Sequence, residues 1–82
     1  MSPAESDLYR ELAQIFQVAF KKASIELRPE TTTDDIDGWD SFKYVEILIE
    51  IEGKYGFEFE PTEIDDLQNI GDLVGVILAK RV

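Results

Sequence analysis

The spacing of apolar residues along the chain predicts four helices joined by connections of unequal length. We predict these helices over about residues 4–21, 41–55, 62–67 and 70–80. The first has apolar residues at i, i+4, i+7, i+8 and i+11, counted from Leu8. Asp40 and Gly56 are suited to begin and end the second helix, and Asn69 with Asp72 forms a box-like start for the fourth. The pattern therefore predicts an all-α fold, a four-helix bundle with a long first loop and one short helix.

The first loop is longer than most connections in small domains. It covers about residues 24–40, and Pro29 disfavours helix at Arg28, so the loop is expected to be structured or functional. Three of its apolar residues are expected to enter the core and pin it: Ile25, Leu27 and Ile36. Phe57 and Phe59 alternate like a strand, but one isolated strand has nothing to pair with. We predict that these two rings fill the core from a loop.

The second predicted helix carries two apolar faces. At 100° per residue, one face is a normal core stripe, formed by Tyr44, Ile47, Leu48, Ile51 and Tyr55. The other, called here the outer stripe, consists of Phe42, Val45 and Ile49. An acidic rim flanks the outer stripe, with Glu46 and Glu50 on one side and Glu52 on the other. A partner with an apolar groove and a basic edge would bind such a face. The alternative is that the long loop covers the outer stripe.

The composition restricts the chemistry that the chain can perform. A length of 82 residues suits one domain over residues 1–82, and no apolar stretch is long enough to span a membrane. Since the chain has neither His nor Cys, it cannot form a Ser-His or Cys-His nucleophile pair, or the usual zinc and haem sites. We therefore expect no enzyme and no metal site. The lack of Cys and of a signal-peptide pattern suits the cytoplasm.

Negative charge is concentrated in one part of the chain. Eighteen acidic and eight basic residues give a net charge of −10, and residues 30–73 hold fourteen of the acids against only Lys43 and Lys54. Nucleic acid and anionic membranes are therefore poor partners. The charge could serve solubility, but its one-sided distribution favours a docking face for basic partner proteins.

The acidic run before Gly38 resembles part of a calcium-binding loop. If Gly38 is set at the sixth position of an EF-hand loop, Thr33 falls at the first position and Tyr44 at the twelfth. An EF-hand needs Asp at the first position and a bidentate Glu at the twelfth. Both requirements fail, so the sequence argues against an EF-hand.

A serine stands at the first position of the second predicted helix. Asp40 precedes Ser41 and is expected to cap the helix, which leaves the Ser41 hydroxyl free to face outward. The positive end of the helix dipole and its free N–H groups would tolerate a phosphate diester there. Serine is common at helix starts, so the local setting of Ser41 alone favours a residue without a special function. A functional role can be assigned to it only from the wider sequence pattern.

The wider pattern extends over residues 36–79 and consists of the segments Gly38-Trp39-Asp40-Ser41-Phe42, Val45-Glu46-Ile47, Ile51-Glu52, Tyr55-Gly56, Ile64, Leu67 and Ile70-Gly71-Asp72-Leu73. Together these segments resemble the acyl carrier protein family. The resemblance implies that Ser41 carries 4′-phosphopantetheine as a phosphodiester and that Asp40 is the preceding motif residue. It also implies a thiol-ended arm that holds acyl or aminoacyl groups as thioesters. The implied partners are a phosphopantetheinyl transferase and loading or transferring enzymes with basic docking surfaces, acting on a monomer.

Three residues around Ser41 depart from the fatty-acid carriers of that family. Phe42 stands where Leu is usual, Trp39 replaces a smaller residue, and Lys43 replaces an acid. A Trp-Asp-Ser segment is more similar to specialised stand-alone carriers, including the D-alanyl type, which favours a dedicated pathway. The alternative function is an acidic helical interaction domain without a prosthetic group. An interaction domain of this kind would explain the negative charge and the outer stripe. It would not explain why Asp40-Ser41 stands at the helix start and is followed by segments at the spacing of the acyl carrier family.

Overall fold

Four α-helices build the fold, and the computed structural model describes them within residues 3–80, with the backbone alone at Pro3. They are α1 (Pro3–Phe20), α2 (Ser41–Tyr55), α3 (Pro61–Asp65) and α4 (Ile70–Lys80). Residues 1, 2, 81 and 82 of the predicted domain lie outside the described part. No strand occurs between residues 3 and 80, so the predicted all-α class is confirmed. Within the same span, no helix is long and apolar enough to cross a membrane.

The helix ends follow local signals, with small differences from the predicted bounds. α1 ends at Phe20 because Lys21 takes a left-handed backbone conformation, with φ of 55°. α2 is capped by Asp40 and stops at Gly56, whose φ is 75°. α3 ends at Asp65 rather than at residue 67, so the short helix is shorter still.

The core lies between α1, α2 and α4. Eight side chains are fully buried there: Leu8, Leu12, Phe16, Ile47, Ile51, Ile70, Leu73 and Ile77. α1 packs against both α2 and α4, whereas α3, which lies wholly within the described residues, buries none of its side chains. The apolar stripes of three helices thus form the core, and α3 lies at its side.

The long first loop is ordered and contributes to the core. Leu27 and Ile36 are buried and Ile25 is partly buried, as predicted. A 3-10 turn over Thr33–Asp35 lies within the loop, and the Asp35 carboxylate accepts a hydrogen bond of 2.9 Å from the Thr32 N–H. The loop is therefore structured along its length. In the connection after α2, Phe59 is buried, and the partly buried Phe57 packs edge-on against it at 5.0 Å, which confirms that these rings join the core from a loop.

The loop also caps the start of α4. The Pro29 carbonyl accepts a hydrogen bond of 2.8 Å from the Gly71 N–H, and the Thr31 carbonyl accepts one of 2.9 Å from the Ile70 N–H. The Asn69 side chain accepts a third, of 2.8 Å, from the Asp72 N–H. These acceptors satisfy N–H groups that a helix start leaves without intrahelical partners.

The close approach at Gly71 gives a stability prediction. A Cβ on Gly71 would lie 3.0 Å from the Pro29 carbonyl oxygen, whereas a Cβ on Gly75, in the same helix, would meet nothing within 4 Å. Both Gly→Ala changes gain helix propensity, so their difference isolates the steric cost. We expect Gly71→Ala to be less stable than Gly75→Ala by about 1–3 kcal/mol in urea denaturation. Equal unfolding free energies for the two variants would show that the long loop moves away from the added methyl group without loss of stability.

Candidate functional site

Ser41 is the first residue of α2, at the end of the long loop. The chain turns at Gly38, whose φ of 84° is favourable only for glycine. Asp40 is the N-cap, and its carboxylate accepts a hydrogen bond of 2.9 Å from the Lys43 N–H. Its carbonyl oxygen accepts another, of 2.9 Å, from the Tyr44 N–H. Asp40 thus caps α2, so the Ser41 side chain is not needed as the cap.

The Ser41 side chain is exposed to solvent. Its hydroxyl has no hydrogen-bond partner in the part of the chain that the structure describes. The first turn of α2 presents N–H groups and the positive end of the helix dipole to a group attached there. Asp40 offsets part of that positive field. These residues fit a phosphodiester on Ser41, since they offer an unengaged hydroxyl and a terminus that favours a phosphate.

An aromatic cluster, formed by Phe16, Phe20, Trp39 and Tyr44, lies beneath the start of α2. The Trp39 ring packs edge-on against Phe16 at 5.1 Å, Tyr44 at 5.2 Å and Phe20 at 6.4 Å. Trp39 is only 8% exposed, and its indole N–H has no hydrogen-bond partner within residues 3–80. The sequence indicated Trp39 only as a departure from a motif. The structure places it as the anchor that holds the loop end against α1.

The hydroxyl of Tyr44 in this cluster stays protonated at physiological pH. Burial, and to a smaller extent the negative charge of Asp72, raises the pKa of Tyr44 to about 12. A tyrosine with the ordinary pKa of about 10 is already neutral at pH 7, so burial only extends to higher pH the range over which this cluster is uncharged.

Lys43 joins the end of α1 to the start of α2. Its Nζ donates a hydrogen bond of 3.0 Å to the Ala19 carbonyl oxygen, lies 3.3 Å from Glu46 Oε2, and is 5.8 Å from the centre of the Phe20 ring. A cation at the C-terminal end of a helix also interacts favourably with its dipole. Lys43 therefore fastens the start of α2 to the end of α1 and places a positive charge beside Glu46.

The outer stripe of α2 faces solvent. Phe42 is 83% exposed, Val45 55% and Ile49 59%, so the alternative that the long loop covers this stripe is wrong. An open groove of about 630 Å³ between α1 and α2 extends the apolar surface from Ile49 to Val18, which is itself 80% exposed. The exposed apolar surface thus spans two helices, as a docking face would.

The residues of the acidic rim differ in their surroundings. Glu46 and Glu50 are exposed, and Glu46 pairs with Lys43 as described above. Glu52 is half-buried, and its carboxylate accepts a hydrogen bond of 2.7 Å from the Phe59 N–H. Glu52 therefore holds the connection after α2 in place, a contact that helical spacing could not reveal because Phe59 is a tertiary partner. Between residues 3 and 80, no group of three or more acidic side chains is placed to hold a metal ion.

Comparison with known proteins gives a consistent result. A family described as "Phosphopantetheine attachment site" matches residues 10–77. The acyl carrier protein of Tropheryma whipplei (strain Twist) is 30% identical over 83 residues, covering 99% of each chain. The meromycolate extension acyl carrier protein of Mycolicibacterium aurum is 31% identical, over 94% of this chain and 79% of that protein. A solution structure of a holo acyl carrier protein from Geobacter metallireducens superimposes with a TM-score of 0.82 at 35% identity, covering 88% of this chain and 83% of that one.

Proposed function

This chain belongs to the acyl carrier protein family, and from that membership we propose that Ser41 is the residue that bears its 4′-phosphopantetheine arm. The protein is a carrier that tethers acyl intermediates on this covalently attached group. The observation that carries the assignment is the geometry of the start of α2. There an exposed serine hydroxyl has been released from capping by Asp40.

The residues around Ser41 support attachment of the arm in different ways. Gly38 and Asp40 fix the helix start, and the first turn of α2 stabilises the phosphodiester charge. The bound group supplies a terminal thiol, which this chain lacks because it contains no Cys. Members of this family are carriers rather than catalysts. We propose the same for this chain, which has no His or Cys to act as a base or nucleophile.

The outer stripe and its acidic rim form the proposed docking face. Phosphopantetheinyl transferase and the biosynthetic enzymes that act on the arm would contact Phe42, Val45 and Ile49 through an apolar groove. Basic groups at the edge of that groove would face Glu46 and Glu50, which are exposed. Glu52 remains part of the proposed docking face, but we expect it to contribute less to partner binding than Glu46 and Glu50. It is half-buried, and its carboxylate accepts a hydrogen bond from the Phe59 N–H.

The carrier is proposed to work as a monomer in the cytoplasm and to serve a dedicated pathway. Lys43 supports the dedicated pathway, because it places a positive charge on the docking face beside Glu46. A partner with a uniformly basic edge would be repelled at that point, whereas a matched partner would not. The transported group is an acyl or aminoacyl unit in this proposal.

Thioester loading tests the proposed function. The chain, incubated with a broad-specificity transferase and an acyl-coenzyme A, should gain one acylated arm in its intact mass. Neutral hydroxylamine should then remove the acyl group and leave the arm, because it cleaves thioesters under these conditions. A chain incubated without transferase is the control. If no mass is gained, or if hydroxylamine fails to release the acyl group, the chain does not function as a thioester carrier.

A further inference from the structure

The groove between α1 and α2 is lined by two lysines that form no ion pair within residues 3–80. Four of the basic side chains in that span do form ion pairs there: Arg10, Arg28, Lys43 and Lys80. The others, Lys21, Lys22 and Lys54, form none with the described residues. Lys21 and Lys54 are exposed, and both line the groove. Two positive charges without a partner in the described span thus border one apolar surface of a chain whose net charge is −10.

The two lysines lie at opposite ends of the groove. Lys21 follows α1 and shares its end of the groove with Lys43, whose Nζ bonds the last turn of α1. Lys54 lies near the end of α2, where the Tyr55 hydroxyl donates a hydrogen bond of 2.9 Å to Glu11 of α1. Lys43 and Lys54 are eleven positions apart in α2, which corresponds to about 16 Å along a helix. Apolar side chains lie between these ends: Ile15, Val18 and Ile49.

The carboxylates that line the groove leave these two positive charges available. Glu11 accepts the Tyr55 hydrogen bond, and Glu46 lies in the ion pair with Lys43. Glu50 is exposed on the α2 side of the groove. A ligand that fills the groove therefore meets a positive charge at each end and apolar side chains in the middle.

Two candidate occupants are disfavoured by position and by charge. The arm is one, because Ser41 does not line the groove and stands nine positions before Glu50. At 100° per residue, that separation places the two side chains on opposite sides of α2. A second copy of the chain is the other, because it would bring a net charge of −10 against the same net charge. The charge pattern instead fits a partner protein with a few well-placed carboxylates.

We propose that the groove between α1 and α2 binds a helix of a partner protein that carries a carboxylate at each end of an apolar stripe. The carboxylates would pair with Lys21 and Lys54, and the stripe would pack on Val18 and Ile49. Helix positions i, i+4, i+7 and i+11 share one face and span about 16 Å. The partner helix thus has acidic residues at i and i+11 and apolar residues at i+4 and i+7. This surface goes beyond the proposed function, since it requires no arm and selects acidic rather than basic groups.

Two stapled helical peptides of about 16 residues test the proposal, because a staple holds a short helix that would otherwise be marginal. Both have Leu at i+4 and i+7, and they carry either Glu or its neutral isostere Gln at i and i+11. Titrations of the full chain at physiological salt, followed in ¹H–¹⁵N spectra, give the Kd and the residues that are contacted. The Glu peptide should bind about 3- to 10-fold more tightly than the Gln peptide and shift the amides of Val18, Lys21 and Lys54. Net charge alone predicts the reverse order, since the chain is negative.

A pair of charge variants locates the interaction. Lys21→Glu with Lys54→Glu should remove the preference for the Glu peptide. Lys22→Glu with Arg28→Glu changes the net charge equally at exposed residues that do not line the groove, and should keep the preference. If the first variant does not fold, Lys21→Gln with Lys54→Gln takes its place.

Three results would overturn the proposal: no binding of the Glu peptide, equal or tighter binding of the Gln peptide, or the same preference in the groove variant as in the wild type. Each leaves the carrier role intact, because the titrations use the chain without an arm. Failure of arm attachment to Ser41 would in turn leave the peptide result unchanged.

Discussion

Replacing Ser41 by Ala should abolish attachment of the arm, from one arm per chain to none. The hydroxyl oxygen forms the phosphodiester bond, and Ala offers no oxygen in its place. Ser41 is exposed and Asp40 supplies the cap, so the variant should keep the stability of the wild type within about 0.5 kcal/mol. Intact mass after incubation with a broad-specificity transferase and coenzyme A measures the result, and the urea midpoint checks the fold.

Ser24→Ala is the matched control for this experiment. Ser24 is also an exposed serine, but it lies in the long loop rather than at a helix start. It should accept the arm as fully as the wild type. Modification of a well-folded Ser41→Ala variant, or its loss from Ser24→Ala, would place the site elsewhere.

Reversing two charges of the acidic rim should slow docking strongly. The variant Glu46→Lys with Glu50→Lys replaces two exposed negative charges beside the outer stripe. Association with a basic transferase should become slower by about 10- to 100-fold at low salt, because opposite charges steer the encounter. The difference should shrink as salt rises, since exposed charges are screened over about 8 Å at physiological ionic strength. Stopped-flow binding across a salt series measures both effects.

The control variant has the same net charge as the rim variant, but its two substitutions lie outside α2. Glu30 and Glu58 are exposed and lie in loops, so Glu30→Lys with Glu58→Lys alters the total charge by the same amount without changing the proposed docking face. If the control slows association as much as the rim variant, net charge rather than a defined docking face governs the encounter. Loss of the exposed Lys43–Glu46 pair in the rim variant should contribute little to stability.

Features set by neighbouring residues along the chain could be predicted from the sequence. The start and end of α2 depend on Asp40 and Gly56, which act through hydrogen bonds and backbone conformation within one turn. The outer stripe follows from helical spacing alone. The sequence does not decide whether the outer stripe is exposed, because exposure depends on the path of the long first loop, which shows no periodic pattern.

Features that depend on distant residues could not be predicted in this way. Lys43 reaches the carbonyl of Ala19 across 24 positions, and the Glu52 carboxylate binds the N–H of Phe59 beyond the end of α2. The burial of Trp39 likewise depends on α1, through Phe16. Family resemblance marked Trp39 and Lys43 as unusual. Only the packing of α1 against α2 shows that both residues fasten the site to the bundle.

The central claim, that Ser41 bears the arm, is tested most directly by locating the modification within the chain. Wild-type protein treated with transferase and coenzyme A would be digested, and the peptides fragmented by tandem mass spectrometry. The account predicts one phosphopantetheine per chain, on the peptide that contains Ser41, with fragment ions that place it on that residue. An arm found on Ser6, on Ser24 or on any other residue, or no arm at all, would contradict it.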